Sequence, residues 1–352
     1  MKHKQNFIKS LVLAAVTLTL YACGPSAPPL ARGVVLGEGL LKIDTLFSQE
    51  KLGNVTALEI MENDSLPTQI LVVGQKGASL INEKGEELNY LSFEYGDRLM
   101  GLGNVQPVFK EDGIMYFNRG GGWGPVSFHD QNGKKLWEFS NHSPDDAAII
   151  DLDGSGDYEF IIATGADGLF AFNKMGEQIW LEEVGNVTSV GVFKENGVPF
   201  IVHNDQESIL IRSANGKLIR TLDIPIANAY SFEIDEYKGE QAIFGVHNGK
   251  LSISDFYGNE LHSFPILREH FNSCKYIEST LLGTEKPGSI VANRVRRDDS
   301  EWYLYDQNDS LIFSERYNAW NPVINEYSSG SEIRLLIGSD NGLVKVYTKS
   351  SN

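Results

Sequence analysis

Cysteine is nearly absent from this chain: two occur among 352 residues, at positions 23 and 274. A disulfide framework of the kind that staples small secreted domains is therefore excluded, and packing must hold the fold. Positive charge is also scarce. The chain has 30 Lys+Arg against 47 Asp+Glu, a formal net charge of −17. Residues 1–22 contain three of the basic side chains and none of the acidic ones, so the remainder carries 27 basic against 47 acidic groups, a charge of −20. Such a surface repels phosphate, which argues against nucleic acid and anionic lipid headgroups as partners and leaves cations or a basic protein patch. Helical periodicity is missing beyond residue 33, so the fold expected is all-β.

Apolar runs are short as well. Lys2, Lys4 and Lys9 precede the uncharged, mostly apolar stretch Leu11–Leu20, which is too short to span a bilayer comfortably and reads as the core of an export signal over residues 1–22. It ends in Leu20-Tyr-Ala-Cys23-Gly24, which resembles the lipobox of bacterial lipoproteins. The resemblance implies cleavage after Ala22 and acylation (palmitate among the chains) of Cys23, a lipid anchor in the cell envelope with the domain on the non-cytoplasmic side. Gly24, where an Asp would mark inner-membrane retention, resembles the outer-membrane pattern of Gram-negative hosts. The alternative is a plain secretory signal followed by an ordinary cysteine. Residues 23–33, rich in Pro, Ala and Gly, read as a tether, and Cys274 has no intramolecular partner.

Residues 34–352 carry an internal repeat. An Asn or Asp recurs ahead of an apolar run at positions 54, 104, 145, 186, 228, 272 and 321, with spacings of 50, 41, 41, 42, 44 and 49 residues. A period in the forties containing only strands predicts a single β-propeller of seven four-stranded blades, each sheet too small to bury both faces alone. Strand b is exemplified by Gln69–Val73, Phe160–Thr164, Phe200–Val202 and Leu335–Ile337, strand c by Gly168–Phe172, and the outer strand d by Lys135–Phe139. Lys84-Gly85, Asn132-Gly133, Asn215-Gly216 and Tyr257-Gly258 read as the tight c-to-d turns, with type I′ geometry expected at the Asn-Gly pairs. The last unit stops after its strand c. Residues 34–47 contain a spare strand, so the two ends of the chain are expected to share one blade and remove a sheet edge.

Phe128-His-Asp-Gln-Asn-Gly133-Lys-Lys-Leu-Trp137 and Phe170-Ala-Phe-Asn-Lys-Met-Gly176-Glu-Gln-Ile-Trp180 resemble the tryptophan-docking repeat of PQQ-like propellers. That resemblance implies a turn glycine and a Trp packed between blades. It covers both quinoprotein dehydrogenases and non-catalytic lipoprotein scaffolds, and the adjacent Cys-Cys pair of many of the former is missing here.

The sharpest chemical motif is Asp151-Leu-Asp153-Gly-Ser155-Gly-Asp157-Tyr-Glu159. It resembles the calcium loops of FG-GAP and VCBS repeats and the first nine positions of an EF-hand. The resemblance implies a calcium site with Asp151, Asp153, Ser155 and Glu159 as side-chain ligands and Asp157 ligating through its carbonyl. A solvated acidic turn is the other reading. Decayed copies are expected at Asn325–Ser331 and Glu233–Gly239, without metal.

Propeller topology puts the d-to-a and b-to-c connections on one face. Arg119, Trp123, His203, His247, Arg294 and Trp320, with His142, are expected to gather there as a binding face. A His at a strand end can equally cap a turn, and Trp123 can be packing. The repeated Asn/Asp should ring the channel at the same face; the plainer reading is that they start strands by bonding their own backbone. No nucleophile with a base and orienting partner appears. The reading is a non-catalytic binding or scaffolding lipoprotein whose partner is an envelope protein or an extracellular glycan; the alternatives are an extracellular quinoprotein-like or sugar-acting enzyme, and a calcium-dependent adhesin.

Overall fold

The computed structural model describes residues 39–350, apart from 64–65, 95–104, 111–112, 121–123, 141, 143, 206, 225–231, 267–273, 285 and 297–298. The expected export signal, Cys23, the tether, Trp123 and the repeated Asn at 104, 228 and 272 lie outside the described residues.

Strand β1 (Leu41–Ser48) comes first in the chain but belongs to the last blade. Blade one is β2 (Val55–Asn63), β3 (Leu66–Gly74), β4 (Gly77–Asn82) and β5 (Glu87–Ser92); blade two is β6 (Val105–Lys110), β7 (Gly113–Asn118), β8 (Val126–His129) and β9 (Lys135–Phe139). Blade three is β10 (Asp146–Ile150), β11 (Glu159–Thr164), β12 (Gly168–Phe172) and β13 (Gln178–Glu182). Blade four is β14 (Val190–Glu195), β15 (Val198–Asn204), β16 (Ile209–Ser213) and β17 (Leu218–Leu222). Blade five is β18 (Glu233–Tyr237), β19 (Glu240–His247), β20 (Lys250–Ser254) and β21 (Glu260–Pro265); blade six is β22 (Cys274–Ser279), β23 (Gly288–Arg296), β24 (Asp299–Tyr305) and β25 (Leu311–Asn318). The seventh is β26 (Val323–Ser329), β27 (Glu332–Gly338) and β28 (Leu343–Lys349), completed by β1. This is the seven-bladed propeller with the shared closing blade.

The order within each blade follows from burial. Middle strands are covered on both faces, so they read as continuous apolar runs: β11 is buried at all six positions. Outer strands alternate, as in β9, where Leu136 is exposed and Phe139 buried. The interior lies between blades. Phe117 and Phe128 of blade two meet Phe160 of blade three, with Trp137 stacked on Phe160 at 4.5 Å between ring centres. The docking expected of Trp137 is present: a Cβ built on Gly176, in the next blade's turn, would fall 1.8 Å from Trp137 Nε1, and φ there is +78°. Trp180 repeats the pattern one blade on, its Nε1 donating to the Ala214 carbonyl at 3.0 Å.

Closure is antiparallel pairing of β1 with β28, from Leu41 opposite Lys349 to Ser48 opposite Leu343. Phe47 is buried among Leu52, Val55, Leu336 and Val344, so β1 seals the seam between blades seven and one.

The c-to-d turns differ from the expected type. Asn82, Asp130, Asn173, Asp255 and Asp306 each accept, through Oδ1, the N–H groups two and four residues further on. A single left-handed residue follows, such as Gly133 at φ +78°, and the ladder shifts register beside it. This is a three-residue turn with a bulge, stabilised by the side chain that opens it, not type I′. Type I′ geometry occurs elsewhere, at Asn196-Gly197, Lys238-Gly239 and Asn248-Gly249, where both residues have positive φ. The repeat phase also slips in blade four: Asn186, at φ +63°, lies four residues before β14, and Ser189 holds the strand-start position.

Candidate functional site

Residues of all seven blades, mostly from the innermost strands, line a central cavity of about 380 Å³. Its chemistry is set by charges on strands of otherwise apolar composition. Arg119, at the end of β7, turns inward with its side chain 12% exposed. Its Nε donates to the Ala147 carbonyl at 2.9 Å, one terminal nitrogen lies 3.0 Å from the Asp146 carboxylate, and the other lies 3.2 Å from Glu233. Asp146 in turn accepts the Val190 N–H at 3.0 Å and the Ser189 hydroxyl at 3.2 Å. One guanidinium thus ties together blades two, three and five, and through Asp146 blade four.

Burial alone would favour loss of the Arg119 charge, but Asp146 and Glu233 outweigh it and hold the guanidinium firmly protonated. The Glu233 carboxyl is raised above the usual range by burial, which Arg119 opposes. Between the adjacent blades five and six, Lys275 donates to Asp235. Burial lowers the Lys275 affinity for its proton, yet Asp235, Glu233 and Glu59 together raise it above the ordinary value. Glu59, midway along β2, is raised by burial, with Lys275 opposing.

The predicted face is only partly assembled. Arg119 does not present itself at the rim, because it is the hub of the clamp just described. His203 is fully buried. Its Nε2 accepts from Arg212 Nε at 2.8 Å and its Nδ1 faces the Asn204 carbonyl at 3.1 Å, so both ring nitrogens are engaged. Burial, with the Arg212 charge adding to it, lowers its pKa to about 4. His247 is partly exposed beside the Asn248 amide, at 2.6 Å. Arg294 and Trp320 do come together, the guanidinium carbon 5.3 Å from the ring centre. His142 pairs with Asp167, at 3.0 Å, joining a d-to-a link to a b-to-c turn as the topology requires.

The acidic loop between β10 and β11 places ligand oxygens of Asp151, Asp153 and Glu159 all within 4.8 Å of one another. Asp157 directs its carboxylate away, to Lys174 at 2.6 Å, leaving its carbonyl for the loop. The Ser155 hydroxyl accepts the Asp157 N–H at 3.2 Å. Gly154 and Gly156 have φ of +77° and +84°, the left-handed bends the motif needs. The Glu159 carboxyl is raised by burial first and then by Asp153, Asp151 and Asp157, while the Leu152 N–H opposes. The supposed decayed copies are not loops. Glu233 and Asp235 lie in β18, and Asn325–Ser329 in β26, so both segments are inner strands.

Sequence reasoning missed Glu59, Asp146, Glu233, Asp235 and Lys275. A partial signal was available: a charge placed among apolar residues of a blade's first strand is a candidate to face the channel, although Lys194, Glu236 and Glu278 on such strands are exposed instead.

No protein-family model matches this chain, and no curated protein does. Among solved structures the chain is similar to BBS1N in two crystal structures of its complex with ARL6DN, one soaked with lead and one with mercury. Identity is 12%, 92% of this chain and 99% of that chain are covered, and the TM-scores are 0.50 and 0.51. BamB from Moraxella catarrhalis matches 84% of this chain and 85% of its own at 12% identity, with a TM-score of 0.42. The likeness to BBS1N is one of fold.

Proposed function

We propose that the protein is a non-catalytic binding or scaffolding lipoprotein of the bacterial cell envelope, anchored through Cys23, with one calcium ion in the loop 151–159. The observation that carries the binding reading is the channel clamp. Arg119 and Lys275, the cations that substrate chemistry would call on, are locked to Asp146, Glu233 and Asp235 on strands of other blades, so these groups hold blades in place. His203, a main motive for an enzyme, sits inside blade four with both nitrogens engaged. The solved complex of BBS1N with ARL6DN supports a protein partner only to the extent that a chain of this fold is able to present one.

For the calcium, the support is the donor set: three carboxylates converge while Asp157 is drawn off by Lys174, which matches a loop ligating by carbonyl at that position. Affinity capture from envelope extract tests the function. The protein should retain a specific partner whose recovery falls when Arg294 and Trp320 are both changed to Ala. Recovery of no partner would count decisively against a binding role.

A further inference from the structure

The charges of the central cavity do not balance. Among the described residues that line it, three carboxylates (Glu59, Glu233 and Asp235) face two cations, and each cation is committed: Arg119 to Glu233 and to Asp146, which is outside the lining, and Lys275 to Asp235. Glu59 has no hydrogen-bond or ion-pair partner among the described residues, although it lines the cavity and is half-buried. A carboxylate removed from water without a bonded counter-charge is unfavourable, and burial raises its proton affinity against the opposing, unbonded charge of Lys275. The deficit is one of positive charge, so an anionic ligand does not fit.

A bare metal ion does not fit either. The described residues bring three metal-ligating groups within reach of one point only at Asp151, Asp153 and Glu159. Channel carboxylates are instead dispersed over blades one and five, and Pro107, Ile149, Val192 and Ile324 add apolar wall between them. A cavity of about 380 Å³ is at the small end of the range that holds organic ligands. Apolar wall with a single unpaired carboxylate suits an aliphatic stem ending in a charge, in the way that lysine buries its methylenes and keeps its ammonium on an acceptor.

We propose that the channel is a binding site for a primary ammonium group on an aliphatic stem, with Glu59 as its counter-ion. The group could arrive on a free diamine or on a lysine of a partner protein. This inference does not depend on the envelope address or on the calcium loop.

Calorimetric titration of the full protein tests it with three probes: 1,5-diaminopentane, acetyl-Gly-Lys-Gly-amide, and uncharged 1,5-pentanediol. Binding of the diamine in preference to the peptide would assign a free amine; the reverse preference would assign a protein lysine; both support the site. Glu59→Gln should weaken binding by about tenfold or more, while Glu86→Gln, in the exposed turn of blade one, should leave it unchanged. If Glu59→Gln fails to fold, Gln106→Lys gives a second reading, because a tethered ammonium in the cavity should abolish binding of the free one. The proposal is overturned if neither amine binds at millimolar concentration, if the diol binds as well as the diamine, or if a folded Glu59→Gln or Gln106→Lys binds like wild type.

Discussion

Arg119 shows how much one side chain can carry in a ring. Its guanidinium is nearly sequestered from solvent and contacts a carbonyl and two carboxylates from different blades, so truncation leaves Asp146 and Glu233 facing each other without a cation. Arg119→Ala should cost about 3 kcal/mol of stability, the scale on which breaking one partner of a buried pair is felt. Urea denaturation measures it, and a loss below about 1 kcal/mol would mean that the clamp is not structural. His203 contributes one pH dependence of its own. In the folded chain its pKa is near 4, whereas an unfolded histidine titrates near 6.5. Between those values the unfolded state takes up a proton that the folded state refuses. Stability from neutral His203 is therefore complete above about pH 6.5 and is lost as pH falls toward 4, by an amount on the order of 3 kcal/mol. His203→Gln keeps an acceptor for Arg212 without titrating, so its urea midpoint should fall less than that of wild type between pH 7 and 4.5. Parallel curves for the two proteins would place the acid sensitivity elsewhere.

At the level of elements, two segments have effects that spread beyond themselves. β1 pairs with β28 over its length and buries Phe47 against blade one. Deleting residues 41–48 leaves an unpaired edge and opens the seam, so the whole domain should melt earlier in one cooperative transition. A variant that keeps the wild-type melting temperature would show that the ring closes without its shared strand. The acidic loop is the second. With free calcium about a hundredfold above its dissociation constant, binding should add about 2.7 kcal/mol, which for a domain of this size is a rise of a few degrees in melting temperature. Asp153→Ala should remove most of that rise, and Asp157→Asn should preserve it, since the Asp157 side chain is turned to Lys174. Identical wild-type melts in calcium and in chelator would make the loop a solvated acidic turn.

For the molecule as a whole the question is address. One thioether-linked lipid on Cys23 would be the covalent anchor of the entire chain, and its acyl groups supply the membrane affinity. Cys23→Ser should move the protein from the membrane pellet to the soluble fraction after cell disruption. Retention in the pellet would mean that the residues around position 23 have been misread.

The propeller was legible in the sequence because its signals are local: an apolar strand, a turn residue and a return, repeated at intervals in the forties. The shared blade was legible for the same reason, as a count of strands that left one spare at the start and one missing at the end. Turn type was legible only in part, since Asn132-Gly133 announces a hairpin, whereas the bonds from Asp130 that select the bulged form depend on a residue outside that pair. The pairing of charged groups around the channel was not legible. Arg119 and Glu233 are 114 residues apart, and His203 meets Arg212 only because β15 pairs with β16 in that register. Which charges meet across the channel is decided by how seven blades close around one axis, and no window of sequence contains that geometry.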